Sequence, residues 1–263
     1  MICRFPTRPW PLILLVLLLT ARSASADAPE DADDGGAAAS DPTAAVNFQD
    51  LKLRYFDLNR GNEEITLEAE GAHVFVPEFK LVHKLVGTHT NRSGDWETGP
   101  RELSLKPTYL QPVAPFGVRA KFALGLEWIK DLGRTRKGTG TGTDQIAPLI
   151  GVGWLPTKND FVVTLFQYFH SYEEDEGVQK VRQSGPRLIY IRKIPLINGW
   201  GKADWKNIID HEEDNDVTMT LELQLGTMVT DGIGIYGEAF VGDSVVDGEP
   251  YDLGVGIGLR FLY

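Results

Sequence analysis

The sequence has a single cysteine, Cys3, and three methionines among 263 residues. One cysteine excludes a disulfide framework and any zinc site built on thiolates. Basic residues are short as well: 26 Lys and Arg stand against 37 Asp and Glu, a formal net charge of −11. That balance excludes nucleic acid as a partner, because phosphate binding needs clustered Lys and Arg. Long apolar runs are missing beyond the first twenty residues, and the mean hydropathy is −0.18. A helical membrane protein, with spans of about 20 apolar residues, is therefore excluded. No Gly-x-Ser-x-Gly, Walker or Gly-x-Gly-x-x-Gly motif stands in a usable context, and no segment sustains a helical period. What is present is 42% apolar residues and 28 glycines, a composition that points to a β-rich protein.

The first 26 residues read as a secretory signal. Arg4 and Arg8 form the basic region, Leu12 to Leu19 the apolar core, and Ala24-Ser25-Ala26 the cleavage site. Eight apolar residues are too few to cross about 30 Å of hydrocarbon. Cys3 precedes that core, so no lipidated N-terminus is implied. Cleavage removes three Arg and no acid, leaving a mature chain that is more acidic and free of cysteine. Residues 27–46 carry six acids and no base among Ala, Gly, Pro and Ser, and are expected to form a disordered acidic spacer. Residues 47–263 form the remaining domain.

In that domain one period dominates. Leu253, Val255, Ile257, Leu259, Phe261 and Tyr263 alternate with Gly254, Gly256, Gly258 and Arg260. Val217, Met219, Leu221, Leu223 and Leu225 interleave with Thr218, Thr220, Glu222 and Gln224. Leu124, Leu126 and Trp128 do the same against Lys121, Ala123, Gly125 and Glu127. Period two marks strands with one apolar and one polar or small face. About twelve strands are expected, near 50–58, 63–76, 79–89, 102–111, 117–130, 145–156, 161–172, 181–194, 200–210, 217–227, 233–242 and 250–263. Many approach the nine to eleven residues that cross a bilayer at a tilt.

The connections alternate in length. Short turns at 77–78, 112–115, 157–160, 195–199 and 229–232 face longer polar loops at 90–101, 131–144, 173–180, 211–216 and 243–249. Outer-membrane barrels have this asymmetry, with short periplasmic turns and long external loops. An even strand count places both termini on the short-turn side, provided 59–62 is an outer turn, as Asn59-Arg60-Gly61-Asn62 permits. Trp128, Trp154, Tyr172, Trp200 and Tyr263 fall at strand ends, where interfacial girdles belong. A soluble sandwich also alternates, but strand length, loop asymmetry and aromatic placement favour the membrane. The expected fold is all-β, a closed antiparallel transmembrane barrel of about twelve strands (10–14).

The terminal GVGIGLRFLY resembles the last strand of Gram-negative outer-membrane β-barrel proteins. The resemblance implies that Phe261 and Tyr263 belong to a C-terminal signal read by the barrel-assembly machinery. TKNDFVVTLFQYFHSY, the later IYI…GW segment and HEEDND before VTMTLELQLG are similar to outer-membrane transporters of the phenol meta-pathway type. That likeness implies small aromatic or hydrophobic solutes.

Inward positions predicted from the alternation are Arg54, Glu68, Glu70, Arg119, Lys121, Glu127, Glu222, Glu238 and Arg260. With Gly151, Gly153, Gly254, Gly256 and Gly258 leaving space, they line either a narrow pore or a salt-bridged plug. His170 and Ser171 with Glu173 offer the residue types of a hydrolase, but adjacent strand residues point to opposite faces. His73, His83, His89 and His211 lack metal-ligand spacing. Glu173 to Glu176 and Asp210 to Asp216 read as solvated acidic loops, without calcium-loop spacing. Arg134, Arg136 and Lys137 are a candidate contact for lipopolysaccharide phosphates.

Together these readings describe an outer-membrane barrel that passes small solutes, in contact with lipid and lipopolysaccharide. It has no catalytic, metal or cofactor residues. A non-conducting structural or surface-interaction barrel is the alternative, followed by a lipid-modifying enzyme. N-terminal sequencing of protein taken from outer membranes should begin at Asp27; a first residue of Met1 would refute the signal.

Overall fold

A strand that must separate lipid from a polar interior needs one side-chain type on each face, and the alternation supplies it. The computed structural model describes residues 35–58, 61–113, 120–213, 215–244 and 253–263. They build a short helix α1 (Gly35–Ser40) and twelve strands: β1 (Phe48–Leu58), β2 (Asn62–Val76), β3 (Phe79–Thr90), β4 (Glu97–Val113), β5 (Ala120–Asp131) and β6 (Thr143–Thr157), then β7 (Asp160–Glu174), β8 (Arg182–Ile194), β9 (Gly199–Asp210), β10 (Asp216–Thr230), β11 (Ile233–Ser244) and β12 (Leu253–Leu262). Each strand pairs antiparallel with its sequence neighbours, and β1 pairs with β12 to close the barrel. Strand number and order agree with the alternation; the largest shift in a boundary is at β4, which starts at Glu97 rather than 102. There Pro100 sits opposite Gly87 at a register shift after Val86. A proline that cannot donate to the ladder is tolerated at such an irregularity.

The expected faces are where the alternation puts them. Ile257 is 65% exposed on the outer wall, whereas Arg260 is 3% exposed inside. Leu253, Val255 and Leu259 join Ile257 on the outer wall, as do Leu221, Leu223 and Leu225 on β10. The short connections gather at one end, as at Pro77–Glu78, and the residues from Asn91 to Trp96 and from Leu132 to Gly142 lie at the other. The first residues of β1 and the last of β12 meet at the short-turn end, with Phe48 opposite Leu262. At the other end Trp128 donates its indole N–H to Tyr172 at 2.7 Å, within the expected aromatic girdle.

Two expectations are corrected. Trp200 is not a girdle residue: it points inward and is fully buried, giving its N–H to Gln224 at 2.8 Å. On β9 the outward positions are Gly201, Ala203 and Trp205, and Trp205 is the exposed tryptophan. The other correction concerns the acidic segment. Its residues 27–34 lie outside the described residues, but 35–46 are not a free spacer. They form α1 and a following turn lodged inside the barrel, with Ala37, Ala39 and Thr43 buried. Composition measures what a segment can bury by itself; here the barrel wall provides the partner surface.

Small residues make this fit. A Cβ on Gly36 would come within 2.5 Å of the Trp200 ring, and one on Gly153 within 2.4 Å of Thr43. Arg260 holds the segment, donating to the Gly36 carbonyl at 2.5 Å and to Ser40 at 2.7 Å. The same guanidinium makes a two-point contact with Asp50, at 2.9 and 2.7 Å, and lies 4.9 Å from the Trp200 ring centroid. Lys80 reaches the Ala44 carbonyl at 2.7 Å from β3.

Two stability outcomes follow. In lipid vesicles, Leu223→Arg should cost about 2–4 kcal/mol in a urea titration, as for a cation on a lipid-facing wall. A cost below about 0.5 kcal/mol would put that face in water. Asp50→Asn should cost about 3–5 kcal/mol, since it leaves the Arg260 charge buried and uncompensated.

Candidate functional site

The barrel interior gathers charged side chains of both signs from the strands. A cavity of about 680 Å³ runs inside it, from Arg101, Thr141 and Thr218 toward the loop end down to Ala39–Pro42 of the inserted segment. Its wall combines acids and bases from nine of the twelve strands. Such charges are stable only when paired or hydrated, and the pairing is extensive.

On one side, Lys52 binds Glu68 at 2.7 Å and also Glu70. Arg54 bridges Glu68 at 2.9 Å to Glu238 at 2.8 Å. Gln224 continues the chain, donating to Glu238 at 3.0 Å and accepting from Trp200. Across the lumen Arg187 holds Asp204 with two nitrogens, one at 2.7 Å, and Lys202 joins Asp204 to Glu222. Glu127 accepts from Ser104 and from Gln167, the latter at 2.7 Å, with Lys106 at 3.6 Å. Lys84 pairs with Glu102 at 2.6 Å, and Arg101 with Glu64.

Of the inward positions expected from the sequence, Arg54, Glu68, Glu70, Glu127, Glu222 and Arg260 line this cavity. Glu238 points inward, but its side chain is sealed behind Arg54 and Gln224. Lys121 lies on the inward face of β5 with Ala123 and Glu127, short of the cavity lining. Arg119 lies outside the described residues. The glycines expected to leave space do not leave it empty. A Cβ on Gly258 would strike the Tyr236 ring at 2.1 Å, on Gly256 Arg54 at 2.9 Å, and on Gly254 the Phe56 ring at 2.5 Å. Gly151 is covered by Leu165 in the same way, at 2.2 Å. They are absences of side chain that admit large neighbours, not a channel.

Several interior residues escaped the sequence reading: Asp50, Lys52, Lys80, Lys84, Lys106, Arg187, Lys202, Asp204 and Lys206. The signal existed for Asp50 and Lys52, which share the parity of Arg54. It was weak on β9, where the outward residues Gly201, Ala203 and Asn207 give little contrast with Lys202, Asp204 and Lys206. Lys80, Lys121 and Lys206 have no carboxylate partner among the described residues; Lys206 instead lies 5.5 Å from the Phe169 ring centroid. His170 and Ser171 do point to opposite faces, His170 exposed and Ser171 buried against Glu174 at 2.5 Å. In the basic loop, Lys137 is engaged by Glu97 at 2.7 Å, while Arg134 and Arg136 are exposed.

No family model matches the chain, and no curated protein matches its sequence. Solved structures match its fold. The KdgM porin is 9% identical, with a TM-score of 0.57, over 82% of this chain and 99% of that one. The same porin in complex with disordered oligogalacturonate is 8% identical at the same score and coverage. The NanC porin is 12% identical, again with a TM-score of 0.57, over 82% of this chain and all of that one. With its apolar outer wall and charged interior, the chain has the closed twelve-stranded fold of outer-membrane porins.

Proposed function

We propose that the chain works in the outer membrane as a narrow passive channel for small solutes. The observation that carries this reading is the cavity of about 680 Å³ inside the barrel, lined by charged groups of both signs. Solutes would diffuse through it hydrated, with the lining charges setting selectivity. Because the acids are largely engaged by bases, the lining cations left over, Lys80 and Lys206, tilt the path toward anions. The inserted residues 35–46 narrow it at the short-turn end.

A second reading concerns the solute. Phe56, Phe169 and Phe240 face the same cavity, and these rings favour the small aromatic compounds that the likeness to phenol meta-pathway transporters implies. The remaining assignments fit the same picture. After signal cleavage near Ala26 both termini face the periplasm, and the final strand with Phe261 and Tyr263 serves the barrel-assembly machinery. The exposed Arg134 and Arg136 meet lipopolysaccharide phosphates. The channel itself needs no enzymatic step and no cofactor.

Planar-bilayer recording tests the proposal. Refolded protein should give conductance steps, and Lys206→Glu should move the reversal potential in a salt gradient toward cation preference. Folded protein without conductance would favour the structural barrel, and an unmoved reversal potential would take Lys206 out of the path.

A further inference from the structure

On the outer wall, near the loop end, three polar side chains that the channel does not use stand in a row. Ser184 lies on β8, whose odd residues Gln183, Arg187 and Ile189 face the cavity, so Ser184 faces outward with Leu188 and Tyr190. His211 follows the last residue of β9, and Asn215 precedes the first of β10. Register brings them together, because Ser184 is opposite Ile209 and therefore near His211, the next outward position beyond it. The Ser184 hydroxyl is 2.6 Å from Nε2 of His211. The other ring nitrogen, Nδ1, is 2.8 Å from the amide oxygen of Asn215.

We propose that Ser184, His211 and Asn215 are a nucleophile, base and orienting group that hydrolyse acyl esters of amphiphiles in the adjoining lipid leaflet. The spacing is that of an activated hydroxyl: nucleophile and base within hydrogen-bond reach, and the base turned by a third group. Asn215 accepts from Nδ1–H and so leaves Nε2 as the acceptor that a serine proton requires. His211 is also held by its backbone N–H, which donates to the Arg182 carbonyl at 2.8 Å, and by the Tyr168 ring stacked at 6.2 Å. Asn215 has φ of 63°, a left-handed conformation that asparagine adopts more readily than most residues, and this turn carries its amide back to the ring.

The substrate class follows from position. Ser184 is half-buried at the upper rim of the apolar band, and the exposed Phe166, Leu188 and Trp205 continue down the wall below it. An acyl chain lying on those side chains would bring its ester to the level of Ser184. Arg182, on the same face two residues earlier, bridges to Glu212 at 3.3 Å and is the cation available to a developing oxyanion.

In the reaction, Oγ of Ser184 bonds to the acyl carbon while its proton passes to Nε2 of His211. The bond from the acyl carbon to the alcohol oxygen then breaks, and Nε2 returns the proton to that oxygen. Water attacks the acyl-serine, giving its proton through His211 to Oγ as the carboxylic acid leaves. Ester and water become acid and alcohol, with no redox partner.

The lipid substrate rests on the membrane setting proposed above; the triad is tested without it. Refolded full-length protein, checked for heat-modifiable gel mobility, is treated with a fluorophosphonate probe and assayed on p-nitrophenyl butyrate and on phosphatidylcholine vesicles. The probe should label Ser184, and Ser184→Ala and His211→Ala should abolish the label and lower ester hydrolysis on the order of a thousandfold. Asn215→Gly, which keeps the left-handed turn, should lower kcat with little change in KM, and Asn215→Asp should restore it. No label on folded protein, or a label that survives Ser184→Ala, would overturn the triad. Hydrolysis of the soluble ester without release of fatty acid from vesicles would overturn the lipid substrate. Conductance should be the same in Ser184→Ala, since that side chain is outside the lumen, so the channel and the triad stand or fall separately.

Discussion

The seam between β1 and β12 is the contact on which the barrel depends. Within hydrocarbon no water is available to the backbone, so a sheet edge would strand a row of N–H and C=O groups at several kcal/mol each. Pairing from Phe48 with Leu262 to Asp57 with Leu253 removes that edge. Asp50 lies directly opposite Arg260 on this seam, and their ion pair is almost fully buried. The seam is thus joined twice, by the ladder and by a charge pair across it. From the same guanidinium hang the Gly36 carbonyl, Ser40 and the aromatic faces of Trp200, Tyr236 and Phe48.

Closing the sheet creates an interior whose volume has to be filled by side chains and water. Large residues are accommodated where a neighbour has none: Tyr236 over Gly258, Trp200 over Gly226, Thr43 over Gly153. Charges are accommodated in chains, as in Lys52–Glu68–Arg54–Glu238, in which each acid has a base or amide donor. Taking one member away leaves its partner buried and unpaired, which costs far more than the pair contributes. A residual cavity remains between these chains, and in its lining Lys80 and Lys206 are cations not committed to a carboxylate.

Much of the wall was legible in the order of the residues. The alternation is sharp over 217–225 of β10 and 253–260 of β12, where the outward residues are Leu, Val, Ile and Met and the inward ones Gly, Thr, Glu, Gln and Arg. Trp200 misled for a physical reason: an aromatic near a strand end reads as a girdle residue whichever face it occupies, and the flanking Gly199 and Gly201 provide no contrast. Residues 35–46 misled because Ala, Gly and Ser bury little on their own, yet small size is what admits them between Trp200 and the wall. Ser184 and His211 are 27 positions apart, and nothing local in either segment announces the other.

By itself the sequence determined the order of the strands and their approximate number, the apolar outward face of each, and the end at which the short turns gather. These depend on period and turn chemistry, which are local properties. Tertiary structure alone decided which acid meets which base, which glycine is covered by which ring, and that the acidic segment folds back into the lumen. It also brought Ser184, His211 and Asn215 together. All of these are set by the register between strands, where a shift of one residue turns every side chain to the other face, and register becomes definite only when the barrel closes.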